Sequence, residues 1–540
     1  MILRFLNLKK NTFYFYVFSI IWAIAFVIKF YYFNGILDFI SNDSFQYLSI
    51  AHDIYHDKKS TGLINYALDL YYDELALFNY DFKNLKPYHF PSYSAFLSLF
   101  YFIYDNHNFV VYFSQYLSFL IFSISSFLII NNYYRKTTAF LLVLISIFCS
   151  PIILYISDSG KEILCSGLAS LGIYLGIYYK KRNNLLVIII LSIIFTFLSI
   201  TRNFYLLLAL LIFLFRAIPP KYKEDDIKES FKTKFIFFLL VFLIPLIAYI
   251  YCYYFIEIHL FIFDNRTDIY GGKKLDDLIY RVTLNLFMGF LVFCTQYFRF
   301  FLDDFKVLNL TSLFGLYQTF GFTILGFFFF FKNEIKNYLF YRKLKITKLH
   351  VINIFFLILL IAITIRFSNL GYRLTLGYLP FVFMIFYQTF SFKNLLKKSK
   401  FSDKLFSRFL VFFLFINFFF NIKFSENALL RVLKSERVNN YAIKQIEKYN
   451  AKYVVADENY FNSSFLMPLT YKFPSHINFL LSWRLNNRCS DLSNYHEHKI
   501  DFDIIFTQTK YDEKNCDFIY NNFYLIENNE YGLIYLKKTK

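Results

Sequence analysis

The sequence predicts an α-helical polytopic membrane protein of about eleven spans, with a small C-terminal α/β domain outside the membrane. Three observations predict it. Mean hydropathy is +0.42 and 57% of the 540 residues are hydrophobic, gathered in apolar runs too long and too numerous for a soluble chain. Lysines and arginines concentrate in short loops between those runs, as the positive-inside rule requires. Beyond residue 422 the composition turns polar and mixed. The 77 Phe and 48 Tyr, beside abundant Ile, Lys and Asn, follow the bias of an AT-rich bacterial genome, so the aromatic excess is not read as stacking sites. The formal charge of +19 lies in inter-span loops and is therefore topology, which excludes a nucleic-acid footprint and points to the bacterial inner membrane.

Taken in order, the chain opens with Arg4, Lys9 and Lys10 and an apolar run from Thr12 to Phe33. That run ends in aromatics without a small-residue cleavage site, so it reads as an uncleaved first span. Further spans are expected near 109–130, 138–156, 163–179, 185–200, 204–218, 235–256, 312–331, 350–365, 374–390 and 409–422. The inside loops then hold Arg135-Lys136, Lys180-Lys181-Arg182 and the basic stretches 219–234, 332–349 and 391–408. The outside loop 34–108 is instead acidic, with Asp38, Asp43, Asp53, Asp57, Asp69, Asp73, Glu74, Asp81 and Asp105. A second large outside loop is expected at 257–311. The apolar stretch 91–104 is too short to cross, and 278–301 reads as an interfacial or re-entrant helix because a crossing there would move the basic loop 332–349 outside.

The domain from 423 to 540 is expected to open with a helix near 438–450 leading into Lys452-Tyr453-Val454-Val455-Ala456. Phe502-Asp503-Ile504-Ile505-Phe506 reads as a strand, and a hairpin is expected around Asn528-Asn529-Glu530-Tyr531-Gly532. No glycine-rich phosphate loop is present. Cys149, Cys165, Cys252 and Cys294 read as small apolar residues, whereas Cys489 and Cys516 are placed to pair if this domain lies outside the cytoplasm. No cysteine spacing matches a zinc site.

The chemistry gathers on the outside face. Asn42 is a good N-cap, and residues 47, 50, 51 and 54 recur at helical spacing, so Asp43 falls in the first turn of a helix. The helix dipole favours an ionised carboxylate there, which suits a general base or cation ligand and equally suits a plain helix-start aspartate. Then come Pro87-Tyr88-His89-Phe90-Pro91, Asp158-Ser159-Gly160-Lys161-Glu162, Thr201-Arg202, Arg366 and Gly371-Tyr372-Arg373. Ionisable groups at membrane depth are costly and are kept for pairing or function. Asp158, Lys161 and Glu162 also fit solvated turn charges, Arg366 and Arg373 fit interfacial anchors, His89 fits a hydrogen-bonded loop histidine, and Tyr47 fits packing.

Together these stretches resemble the polytopic glycosyltransferases of the GT-C fold that use lipid-phosphate-linked sugars, among them protein O-mannosyltransferases, the aminoarabinose transferases of lipid A and the oligosaccharyltransferases. Four places carry the resemblance: Asn42 to Ala51, Ser150-Pro151-Ile152-Ile153-Leu154-Tyr155 with the loop that follows, Thr201-Arg202, and Tyr372-Arg373-Leu374 with Tyr378-Leu379-Pro380. They lie within residues 13–390. The resemblance implies that Asp43 is the catalytic carboxylate, that Asp158 or Glu162 is the second-loop acid, and that Arg202 and Arg373 meet the lipid phosphate. The oligosaccharyltransferase metal signature has no counterpart, so no cofactor is expected and a divalent metal is left unsupported.

Nucleotide sugars are cytoplasmic, so an outward-facing transferase must use sugar on a carrier that crosses the membrane. A polyprenyl-phosphate-linked sugar is the expected donor, and a glycan, lipid or protein the acceptor. Asp43 would take the acceptor hydroxyl proton as its oxygen attacks the anomeric carbon with inversion. Lys161, Arg202, Arg366 and Arg373 are the candidates for the charge developing on the departing phosphate, and Tyr47 and His89 for substrate contact. The rival readings are a repeat-unit polymerase or ligase acting on lipid-linked glycans, a transporter or flippase without bond chemistry, and a binding protein whose terminal domain recognises a partner. The lack of paired broken helices counts against a transporter.

Overall fold

The structure, a computed structural model, describes residues 11–32, 47–48, 51, 54–55, 92–148, 161–179, 182–202, 205–217, 231–255, 437, 440–451, 453–456, 478–481, 503–507 and 517–538. The described chain is mostly helical, with a small sheet near the C-terminus. The expected spans at 312–331, 350–365, 374–390 and 409–422, the stretch 278–301, and Cys149, Cys294, Cys489 and Cys516 lie outside these residues. Two compact units divide the described residues. One holds 11–27, 115–148 and 161–255; the other holds 28–55, 92–114 and 437–538.

The first unit holds α4 (Lys136–Phe148), α5 (Glu162–Ile173), α6 (Leu185–Thr201), α7 (Tyr205–Ala217), α8 (Phe231–Phe237), α9 (Ile244–Phe255) and the larger parts of α1 (Thr12–Tyr32) and α3 (His107–Ile130), whose residues 28–32 and 107–114 belong to the second. Among the described residues two helices are long and apolar enough to cross a membrane, Asn108–Ile130 and Phe231–Cys252. The apolar helices Thr12–Ile28, Glu162–Tyr178, Leu185–Thr201 and Tyr205–Arg216 are shorter.

In α1 one face packs and the other does not. Tyr14, Phe18 and Trp22 recur every four residues and meet Phe127, Phe140 and Phe119. Trp22 Nε1 donates to Ser123 Oγ at 3.1 Å, and that hydroxyl donates onward to the Phe119 carbonyl at 2.7 Å, so the buried indole costs no unmet hydrogen bond. Phe13, Tyr16, Ile20, Ile24 and Val27 form the exposed side.

Helix α6 packs against α5, α7, α9 and the segment before α9, and α5 makes the closest backbone approaches. A Cβ on Gly167 would stand 2.9 Å from the Phe122 backbone nitrogen, and one on Gly172 would meet the Phe195 ring at 2.9 Å. Only glycine permits these approaches to α3 and α6. From Tyr174 to Tyr178 the helix widens to a π turn, closed by Tyr179 N–H onto the Tyr174 carbonyl at 2.9 Å. A second π segment, Phe238–Leu243, joins α8 to α9 just before Pro245. A proline ring clashes with the carbonyl four residues back, and the widened turn relieves that clash without breaking the helix. Ser199 Oγ on α6 donates to the Pro245 carbonyl at 3.2 Å and ties the two helices.

In the second unit, the short helix α2 (Ser92–Tyr101) occupies the stretch judged too short to cross. Tyr47 and Ala51 are helical and buried, as the spacing of 47, 50, 51 and 54 predicts; Leu48 is also buried, whereas Ile54 is exposed and position 50 lies outside the described residues. The C-terminal part forms a five-stranded sheet in the order β2-β1-β3-β5-β4 from β1 (Tyr453–Ala456), β2 (Asn478–Leu481), β3 (Ile504–Thr507), β4 (Phe523–Asn529) and β5 (Gly532–Lys537). Strand β1 runs parallel to β2 and β3, while β5 is antiparallel to β3 and β4. All four residues of the central β3 are buried.

The β4–β5 hairpin turns at Glu530-Tyr531. Asn529 Oδ1 accepts from Tyr531 N–H at 2.9 Å, and Gly532 takes φ 129°, a conformation glycine adopts without a Cβ penalty. Helix 440–449 lies against this hairpin through Glu527, whose carboxylate accepts from Tyr441 and from Gln445 Nε2 at 3.0 Å. A register shift between Leu525 and Glu527 re-aims that side chain. Strand β2 and a short helix at Asp517–Asn522 were not expected from the sequence.

Candidate functional site

Helices α5 and α6 are consecutive and closely packed, joined through the turn at 182–184, so the start of α5 and the end of α6 lie at one end of the pair. Lys161 is the N-cap of α5 and Glu162 is its first helical residue. Arg202 is the C-cap of α6, with extended backbone and its N–H on the Leu198 carbonyl at 2.7 Å. Arg202 Nη2 donates to Glu162 Oε1 at 2.5 Å. Two helix dipoles favour this pairing, since the acid stands at an N-terminus and the cation at a C-terminus.

The arginine side chain is 21% exposed and the glutamate 10%, so the guanidinium is the outer member of the pair. Lys161 is buried at 6% exposure. A cation at the amino end of a helix opposes the dipole, and burial adds to the cost. One turn further in, the Cys165 N–H donates to the Lys161 carbonyl at 2.9 Å, and the buried thiol has Lys161, Arg202 and Glu162 as electrostatic neighbours. Three of the sequence-selected residues, Lys161, Glu162 and Arg202, therefore form one cluster.

Tyr47 is 1% exposed and meets Tyr93 edge-on at 5.2 Å, which seats its helix against α2. Asp43, His89, Asp158, Arg366 and Arg373 lie outside the described residues. Among the described residues no group of three or more His, Cys, Asp or Glu side chains is placed to hold a metal ion.

The opposite ends of the same helices form a second polar layer that the sequence reading treated only as loop charge. Tyr133, after α3, shares a 2.5 Å hydrogen bond with Tyr178 at the end of the π turn of α5. Buried Arg182 donates to the Ile177 carbonyl at 3.1 Å. Arg216, at the end of α7, donates to Asn183 Oδ1 at 2.7 Å and lies 3.9 Å over the Phe237 ring. Arg216 was missed, although a lone cation closing an apolar run is the signal that marks it. No protein-family model and no curated protein matches this chain.

Proposed function

We propose that the protein is a polytopic glycosyltransferase of the bacterial inner membrane that transfers a sugar from a polyprenyl-phosphate-linked donor to a cell-surface glycan, lipid or protein. The observation that carries this reading is buried Lys161 at the amino end of α5, beside the Glu162–Arg202 pair. Lys161 and Arg202 bring two cations to the amino end of α5, and an anionic phosphate group is the ligand that such cations complement. The reading keeps its eleven spans, with this cluster on the outside face. The layer of Tyr133, Tyr178, Arg182 and Arg216 at the other end has the aromatic and basic character of a cytoplasmic membrane interface.

In this mechanism Asp43 accepts the acceptor hydroxyl proton while that oxygen bonds to the anomeric carbon. The bond to the lipid phosphate breaks, and Lys161 and Arg202 take up the charge on the departing oxygen. Asp43→Asn in the full chain is expected to lower transfer from a polyprenyl-phosphate sugar by about a thousandfold with normal membrane levels of protein. Full transfer by that variant would contradict the mechanism.

A further inference from the structure

We infer that the two π turns act as one conformational device: α7 couples them, so a change of register at Tyr174–Tyr178 is transmitted to α9. The turns have different origins. Pro245 accounts locally for Phe238–Leu243, but residues 152–218 contain no proline, so contacts from other elements set the turn at Tyr174–Tyr178. Gly176 lets α7 come so close that a Cβ there would stand 2.7 Å from Ile212 Cγ2. Arg182 donates to the Ile177 carbonyl at 3.1 Å, and the Tyr178 hydroxyl is hydrogen-bonded to that of Tyr133. A π turn held from outside is conditional. When its contacts shift, the chain returns to α register, which moves one side of the turn against the other by about 1.5 Å and about 100°.

Helix α7 touches both turns within a short stretch of its own. Ile212 meets Gly176, and the next residue, Phe213, places its ring 5.0 Å from that of Phe238, which opens the second π turn. Arg216 makes the same link, since it lies 3.9 Å over the Phe237 ring and donates to Asn183 Oδ1 at 2.7 Å and to the Arg182 carbonyl at 3.5 Å. A displacement of α7 driven at Gly176 therefore moves Phe238, because packed side chains pass a shift on and do not absorb it. The second turn runs directly into α9, with the Ile244 N–H on the Leu239 carbonyl.

Cys252 on α9 reports the outcome, because it is a free, half-buried thiol beyond the second turn. The test uses the full chain in phosphatidylcholine nanodiscs, with Cys149, Cys294, Cys489 and Cys516 changed to Ser and Cys165 to Ala. The rate at which methyl methanethiosulfonate modifies Cys252 is read. Pro245→Ala removes the local cause of the second turn and sets the shift that a change of register there produces. Gly176→Ala drives a methyl into Ile212 and is expected to change the Cys252 rate by about fivefold or more. Adding Ile212→Ala should return the rate toward that of the unsubstituted protein. Tyr133→Phe removes one hydrogen bond from the first turn without altering its packing, so it should shift the rate even where Gly176→Ala does not fold. Gly167→Ala strains α5 against α3, away from both turns, and should leave the rate unchanged. A rate altered by Pro245→Ala but by neither Gly176→Ala nor Tyr133→Phe would overturn the coupling. A rate that Pro245→Ala leaves unchanged, or that Gly167→Ala shifts as far as Gly176→Ala does, would overturn it as well.

Discussion

At the scale of single residues, the Glu162–Arg202 pair decides most. It joins positions forty apart in sequence, and neither side chain is exposed enough for water to screen the contact fully. Arg202→Ala is expected to lower stability by about 2 kcal/mol, since it leaves a largely buried carboxylate without this donor, whereas Arg202→Lys should recover part of the loss. Melting temperatures of the two variants in one detergent check this. Arg202 was legible in the sequence because a cation between two apolar runs stands out, but its partner was not, because pairing depends on how α5 and α6 pack. A second residue-scale prediction concerns Tyr531, whose hydroxyl is held above the ordinary tyrosine range, first by its hydrogen bond to Glu530 and then by that carboxylate's charge. Because the folded value is raised, the neutral phenol favours folding below the unfolded value of about 10, and that contribution is lost as pH rises through the folded value. A difference titration of the protein against Tyr531→Phe should place this phenol above the ordinary tyrosine value, and Glu530→Gln should bring it down.

At the scale of elements, α6 meets most of the described helices, and the glycines of α5 set its closest approaches. Gly167→Ala presses a methyl against the Phe122 backbone, which has no rotamer to yield, and is expected to destabilise by about 1–3 kcal/mol. Gly172→Ala meets only the end of the Phe195 ring, so its melting temperature should fall less. The helices themselves were legible: the apolar runs expected from 13 to 33 and from 185 to 200 appear as Thr12–Tyr32 and Leu185–Thr201. The π turns were not, because widening after Ile173 and before Pro245 answers neighbouring helices and a proline ring more than any local pattern. In the C-terminal sheet, β3 and the hairpin follow from apolar runs and an Asn-Asn-Glu-Tyr-Gly turn, whereas β2 is only a four-residue run that opens on an asparagine. Its parallel pairing with β1 is a non-local contact that sequence patterning does not encode.

At the scale of the whole molecule, the account rests on which face of the membrane each polar layer meets. Within the first unit, Tyr133, Arg182, Asn183 and Arg216 are linked at one end of the helices and Lys161, Glu162 and Arg202 at the other. Under the proposed topology the first layer would face the cytoplasm and the second the outside. The most direct measurement is therefore labelling by a membrane-impermeant thiol reagent in intact cells, with Asp43→Cys and Glu224→Cys made separately in an otherwise cysteine-free chain. The account predicts labelling at 43 and none at 224 until the membrane is permeabilised. Labelling of intact cells at 224 with protection at 43 would put the acidic loop in the cytoplasm, where nucleotide sugars are available, and would contradict a lipid-phosphate donor.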